Sequence, residues 1–508
     1  MHNPLTPLSP KHLVPTTLSL TWKHLLLPPA VFAAVIAAVR AFLPGAPWLS
    51  LPAMLLLTAA CVAGYDHTRG ARPGGRIVLY AAAAVICCGI IANVHYFTVV
   101  SGGTDAAPVL HNWDSAQYWR KAMWTLDYLR GQIPAGQTYA DTHGALGTIL
   151  GAVMNLTGPS ITVALLFNLP LVLGALIAVS SLTRRVMTTA GNPAGTLAAD
   201  DAGNCTGVLA MACTACVCYL MAEGTVLLKE FCVIFGVAVY TMGLMRTDRR
   251  RRGWLFAGII IVWLFRPHYC LLLAGGAFAG MLINRKLRLS QVLAAVAVAA
   301  VCVALVLFAD SLRAAPDLAA RARGGISTTA YMQPEHYAFL SVLGDLNDLS
   351  WLQKLLLVPF SFVLQYLLPF PWGYSRHLIF GYTQAAAHFA YPWYLFGALA
   401  LYFWFGPRRR APRALKVLSL WALLLYAGTA MPYCGAVSRY GLCAVPLFAP
   451  SVAFVVADAL GRDPDTGRCR RLRPLLIYLA VFAAILAAGL IFCYCFQTLR
   501  AQGPAPIH

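Results

Sequence analysis

Eleven apolar runs, each long enough to cross a bilayer as a helix, recur along the chain at 25–43, 48–65, 77–100, 161–182, 205–222, 230–245, 289–309, 385–406, 414–431, 441–457 and 475–497. Roughly 20 apolar residues span the ~30 Å hydrocarbon layer. Lipid satisfies no backbone N–H or C=O, so such runs are helices there. A further run, 254–283, is interrupted by Arg266-Pro267-His268. Proline and two polar side chains end a helix, which predicts a tight helical hairpin and about 13 crossings in all. Two weaker runs, 142–157 and 351–370, are interrupted by Gly or Pro and read as interfacial or re-entrant. The expected fold is an all-α polytopic membrane protein, one transmembrane domain over 1–508, with no soluble domain and no internal repeat. The first run follows a 24-residue segment containing Pro4, Pro7, Pro10 and Pro15. That is a poor signal peptide, so a retained anchor is expected.

Of 508 residues, 59% are hydrophobic and 11% charged. Soluble domains carry roughly 45–50% and 25%. A soluble enzyme, a disordered chain and a secreted disulfide scaffold are thereby excluded. The 15 cysteines lie mostly inside apolar runs, where thiols pack as small hydrophobes. Cys213, Cys216 and Cys218 are the tightest group, but they lack a fourth ligand and sit in an apolar helix.

The net charge of +20 would suggest nucleic acid in a soluble chain. Here it sorts by loop. Segments 1–24, 66–76, 183–204, 246–252, 285–288, 407–416 and 458–474 hold 25 of the 38 Lys+Arg and 7 of the 18 Asp+Glu. Basic residues collect in cytoplasmic loops, which puts this set and the N-terminus in the cytoplasm and implies no nucleic-acid partner. The outer face then carries 101–141, 223–230, 266–268, 310–384 and 432–440. Ionisable groups near membrane depth cost a few kcal/mol each and are functional candidates.

The first outer loop contains His111-Asn112-Trp113-Asp114-Ser115-Ala116-Gln117-Tyr118-Trp119-Arg120-Lys121 and continues to Tyr139-Ala140-Asp141-Thr142-His143-Gly144. Ser115 to Arg130 reads as an amphipathic helix along the membrane. Asp114 stands at its expected N-cap, a position Asp suits; cap and catalyst are compatible roles. Asp105 is a second outer carboxylate, with a solvated loop residue as its plainer explanation.

A carboxylate heading the first large outer loop, Tyr four residues later, then a helix returning into the membrane, resembles the GT-C superfamily of membrane glycosyltransferases over Asp114 to about Leu182. Leu228-Lys229-Glu230, Phe265-Arg266-Pro267-His268-Tyr269 and Ser438-Arg439-Tyr440 followed by Pro446 and Pro450 are similar to elements of bacterial envelope glycosyltransferases. The chain differs in placing its acid after the third span and in having Ser115 where a second acid is common. The resemblance implies a polyprenyl-phosphate-sugar donor, a glycan, lipid or protein acceptor, and a site on the periplasmic face of a bacterial inner membrane.

Such a donor leaves as a phosphate. Arg suits phosphate because its donors form a fixed fork. Arg266, Arg439 and Lys229 are the candidates, with Tyr118, Tyr440, His143 and His268 as further substrate contacts. A salt bridge with Glu230 or an interfacial anchor is the competing role for Arg266 and Arg439, and snorkelling is favoured for Arg120 and Lys121. Asp114 is the candidate general base, with Asp105 and Glu230 in reserve. No cofactor is required. A divalent ion, if used, is Mg²⁺ or Mn²⁺ on the oxygens of Asp114 and Asp105. The segment 310–384 reads either as a lid over the acceptor site or as a solvated connector, and Trp351 to Trp372 as an interfacial element.

Two alternatives stay open. An O-antigen polymerase or ligase would use Arg321, Arg323 and His336. A lipid-linked glycan flippase would need discontinuous helices and symmetry between halves. Polar residues gathered on one face, with no repeat, favour the transferase. No P-loop, dinucleotide motif or HExxH occurs, so ATP-driven transport and zinc proteolysis lack support.

Overall fold

The computed structural model describes residues 22–68, 71–95, 98–99, 113–134, 144–188, 197–246, 248–266, 269–270, 272–276, 362–363, 366–367, 374–379, 382–385, 387–430, 441–461, 469 and 471–501. These are mostly helical. The helices are α1 Trp22–Phe42, α2 Ser50–Asp66, α3 Pro73–His95, α4 Trp113–Leu129, α5 Gly144–Thr157, α6 Ile161–Leu166, α7 Asn168–Thr188, α8 Leu197–Ala215, α9 Cys218–Glu223, α10 Glu230–Leu244, α11 Arg251–Phe265, α12 Ala387–Phe405, α13 Arg413–Ala430, α14 Val445–Leu460 and α15 Leu472–Ala501. Among the described residues, four stretches are long and apolar enough to cross a membrane: Pro73–His95, Ile161–Thr188, Leu442–Leu460 and Leu472–Cys495. One exception to the all-helical expectation falls inside 310–384. An antiparallel hairpin pairs β1 (Tyr374–Ile379) with β2 (Tyr382–Ala385), Ile379 opposite Tyr382 and Tyr374 opposite Ala385.

α10 is the central helix. Its residues are apolar on every side and almost all buried, the pattern of a core helix. It lies along α11 and α7, while α14 packs on α8, α7, α12 and α13. Small residues permit the closest approaches. A Cβ on Gly258 of α11 would stand 2.6 Å from the Tyr240 backbone nitrogen. α15 is the opposite case, with only 6% of its apolar stretch buried.

The weak run 142–157 forms α5, which packs against α4. Gly147 and Gly151, one turn apart, face it. A Cβ on Gly151 would lie 2.6 Å from the Ala122 carbonyl oxygen. Gly151→Leu should therefore destabilise the protein by about 1–3 kcal/mol, read as a lower unfolding midpoint in detergent. Gly253→Ala, where a Cβ meets open space, is the control and should leave the midpoint in place. From 351–370, Tyr366 seats on α12: its hydroxyl donates to the Tyr394 carbonyl at 2.5 Å, and its own carbonyl accepts from Trp393 Nε1 at 3.0 Å.

The basic loops are knit to one another. Asp458, buried at the end of α14, accepts from both Arg410 and Arg471, joining 407–416 to 458–474. Arg246 donates Nε to Asp248 at 2.9 Å. That hydrogen bond, helped by the charges of Arg246, Arg185 and Arg250, holds the Asp248 carboxyl below the usual carboxylate range.

Two expected spans are subdivided. The run 205–222 is split at 216–217, between α8 and α9. In 254–283, α11 stops at Phe265 and Arg266 leaves the helix at φ −149°, ψ 80°. The chain then returns as a hairpin, since Tyr240 Oη donates to the Leu273 carbonyl at 2.8 Å. The run 289–309 and the outer segment through Arg321, Arg323 and His336 lie outside the described residues.

Candidate functional site

Between α9 and α10 the chain runs from Glu223 to Glu230 without regular helix, and every one of these residues is buried. Buried backbone away from a helix needs partners from elsewhere. Two asparagines supply them. Asn93 of α3 donates Nδ2 to the Thr225 carbonyl at 2.8 Å, and Asn168, first residue of α7, donates Nδ2 to the Val226 carbonyl at 2.6 Å. Within the segment, Thr225 Oγ1 donates to the Ala222 carbonyl at 2.8 Å and the Leu228 amide to the Val226 carbonyl at 3.0 Å.

This segment carries a group of charges. Glu230 opens α10, as expected, and its Oε1 accepts from Arg266 Nη2 at 2.7 Å, with side chains only 4% and 5% exposed. The Arg266 guanidinium stands 5.6 Å from the Tyr269 ring centre. The Lys229 ammonium stands 5.8 Å from the ring of Tyr118 on α4. Both distances suit a cation–π attraction. Glu223 is fully buried at the other end of the break. A fourth element packs on the same helix: the turn Leu442–Ala444 lies against α10.

Four sequence-derived candidates, Tyr118, Lys229, Glu230 and Arg266, are thus brought together from α4, the break and the end of α11. Asp114 lies in the first turn of α4, one residue inside its expected cap position and one turn ahead of Tyr118. Its side chain, together with Asp105, His143, His268, Arg439 and Tyr440, lies outside the described residues. So do both carboxylates that would hold a divalent ion. Among the described residues no three His, Cys, Asp or Glu side chains gather to hold a metal. The residues that sequence reasoning passed over are Asn93, Asn168 and Glu223. The two asparagines are isolated amides inside apolar runs, which is the signal that would have found them.

Desolvating two charges costs several kcal/mol per ion, so a buried pair is a poor stabiliser compared with an apolar pair of similar volume. What this arrangement offers is chemistry. Arg266 carries a planar fork and Lys229 a point charge, groups that suit an anion; the Arg266 fork is engaged by Glu230, the competing role expected for it. Glu230 supplies a carboxylate within hydrogen-bond reach of the same guanidinium.

No protein-family model, no curated protein and no solved structure matches the chain.

Proposed function

We propose that the chain is an integral-membrane glycosyltransferase that moves a sugar from a polyprenyl-phosphate donor to a glycan, lipid or protein acceptor on the outer face of the membrane. The observation that supports this is the meeting of Lys229, Glu230, Arg266 and Tyr118 in one buried cluster. In the reaction, Asp114 takes the proton of the acceptor hydroxyl as its oxygen attacks the anomeric carbon. The bond to phosphate breaks with its electron pair, and the charge that develops is met by Arg266, Lys229 and Arg439. One displacement inverts the anomeric centre. Tyr118, Tyr440, His143 and His268 contact sugar and phosphate, and Glu230 and Asp105 are the reserve carboxylates. Mg²⁺ or Mn²⁺ on Asp114 and Asp105 would help neutralise the leaving phosphate; the displacement does not require it. The chain crosses the membrane about 13 times, with its N-terminus and basic loops in the cytoplasm of a bacterial-type inner membrane.

One observation favours a second reading. The break between Ala215 and Glu230 is a discontinuous helix of the kind on which transporters build substrate sites. A lipid-linked glycan flippase would use the same charges to hold the phosphate.

Reconstituted protein offered a panel of polyprenyl-phosphate sugars separates the two, with released polyprenyl phosphate and product read by mass spectrometry. Turnover should be seen in the wild type and fall roughly 10²-fold in Arg439→Ala. Movement of labelled lipid across vesicles with no transfer would replace the transferase by the flippase.

A further inference from the structure

The break between α9 and α10 is gripped symmetrically. On α3, Gly89 and Asn93 lie one turn apart: a Cβ on Gly89 would stand 2.4 Å from Thr225 Cγ2, and Asn93 Nδ2 reaches both the Thr225 carbonyl and, at 3.3 Å, its hydroxyl. On α7, Asn168 and Val172 lie one turn apart. Asn168 holds the Val226 carbonyl, and Val172 packs on Gly224, whose added Cβ would stand 3.1 Å from its Cγ2. Asn93 is 3% exposed and Asn168 fully buried. Consecutive carbonyls are therefore held by side-chain donors from two separate helices.

We infer that Asn93 and Asn168 are positioning residues: by holding the Thr225 and Val226 carbonyls they fix the irregular backbone that presents Lys229 and Glu230 to Tyr118 and Arg266. The alternative conformation for these residues is a continued helix. Winding 224–228 into one helix continuous from α9 to α10 would turn Lys229 and Glu230, whose backbone is already helical, about the shared axis relative to α9, since each helical residue advances it by about 100°, and would separate them from their present neighbours. The two amides hold the open form against that. Among the described residues, the hydrogen bonds of the two amides go to Thr225 and Val226 and not to Tyr118, Lys229, Glu230 or Arg266. The consequence for turnover rests on the transferase reading; the clamp itself does not.

The test is hydrogen exchange on the full chain in nanodiscs, with Asn93→Leu and Asn168→Leu. Leucine keeps the branching and the number of side-chain heavy atoms and removes the donor. Each variant should speed amide exchange over 224–230 by about tenfold or more, because a buried carbonyl is left without its donor. Exchange in α3, α7 and α14 should stay at the wild-type rate. Unchanged exchange over 224–230, or a loss of protection spread evenly along the chain, would overturn the inference. In the transfer assay the variants should lose kcat with KM little changed, and Asn168→Gln, which keeps a donor, should recover part of it. Wild-type kcat in a variant with a loosened 224–230 would dismiss the catalytic consequence. Absence of transfer by the wild type itself would remove the transferase while leaving the exchange result standing.

Discussion

Arg266→Ala is expected to lower stability by about 3–5 kcal/mol, because it strips the buried Glu230 carboxylate of its guanidinium partner. A loss of that size is a large fraction of the roughly 5–15 kcal/mol that holds a typical protein folded. The effect belongs to the orphaned charge, not to the attraction that was lost. Removing both charges should therefore restore most of it. Arg266→Met combined with Glu230→Gln removes both charges of the pair and nearly keeps the volume, and should unfold within about 1–2 kcal/mol of the wild type. Unfolding of the three proteins in one detergent gives the comparison. Equal midpoints for Arg266→Ala and the wild type would mean that Glu230 has water or another cation close enough to replace Arg266. The double variant has a second use. It should be folded and inactive in transfer, which separates the chemistry of the pair from its part in the fold.

Asp114→Asn should cut transfer by about 10²–10⁴-fold, equivalent to about 3–5 kcal/mol of barrier. The carboxamide has the shape of the carboxylate but takes no proton. The competing role of Asp114 is electrostatic, as an acid in the first turn of α4. Such an acid contributes only about 0.3–1 kcal/mol through the helix dipole, and its loss would appear in the unfolding midpoint instead of the rate. The two roles thus differ in magnitude and in the quantity they move. Turnover within a few-fold of wild type would shift the base to another carboxylate, with Glu230 next to be replaced.

Much of the candidate site was legible in the sequence because charge in an apolar chain is conspicuous. Lys229-Glu230 at the head of one run and Arg266-Pro267 in the middle of another stand out by contrast alone. Their pairing across 36 residues follows once each is placed at a helix end. The break at 224–229 was not legible in the same way. It contains no proline and a single glycine, Gly224. Its conformation depends on Asn93 and Asn168, more than 50 residues away in sequence, and hydropathy windows average such single amides away. The hairpin β1–β2 was hidden for another reason. Tyr374 to Ala385 is rich in strand-forming Tyr, Ile and Thr, but aromatic residues in a membrane chain also suit the interface. The glycines of α5 were visible, yet read as interruptions. Only the neighbouring α4 shows that they are contact points.

The contrast between α14 and α15 sets different rules of variation for two helices that hydropathy treats alike. Leu442–Leu460 is 83% buried and Leu472–Cys495 6%. In α14, size is constrained at nearly every position, since neighbours in a close-packed interior feel a single methylene. In α15, apolar residues of any shape are interchangeable along most of the length, because lipid conforms to them. What α15 refuses on its exposed face is charge, while Leu475, Cys493 and Tyr478 meet neighbouring helices. Apolar substitutions that change side-chain size should therefore lower the unfolding midpoint when placed in α14 and leave it nearly unmoved on the exposed positions of α15.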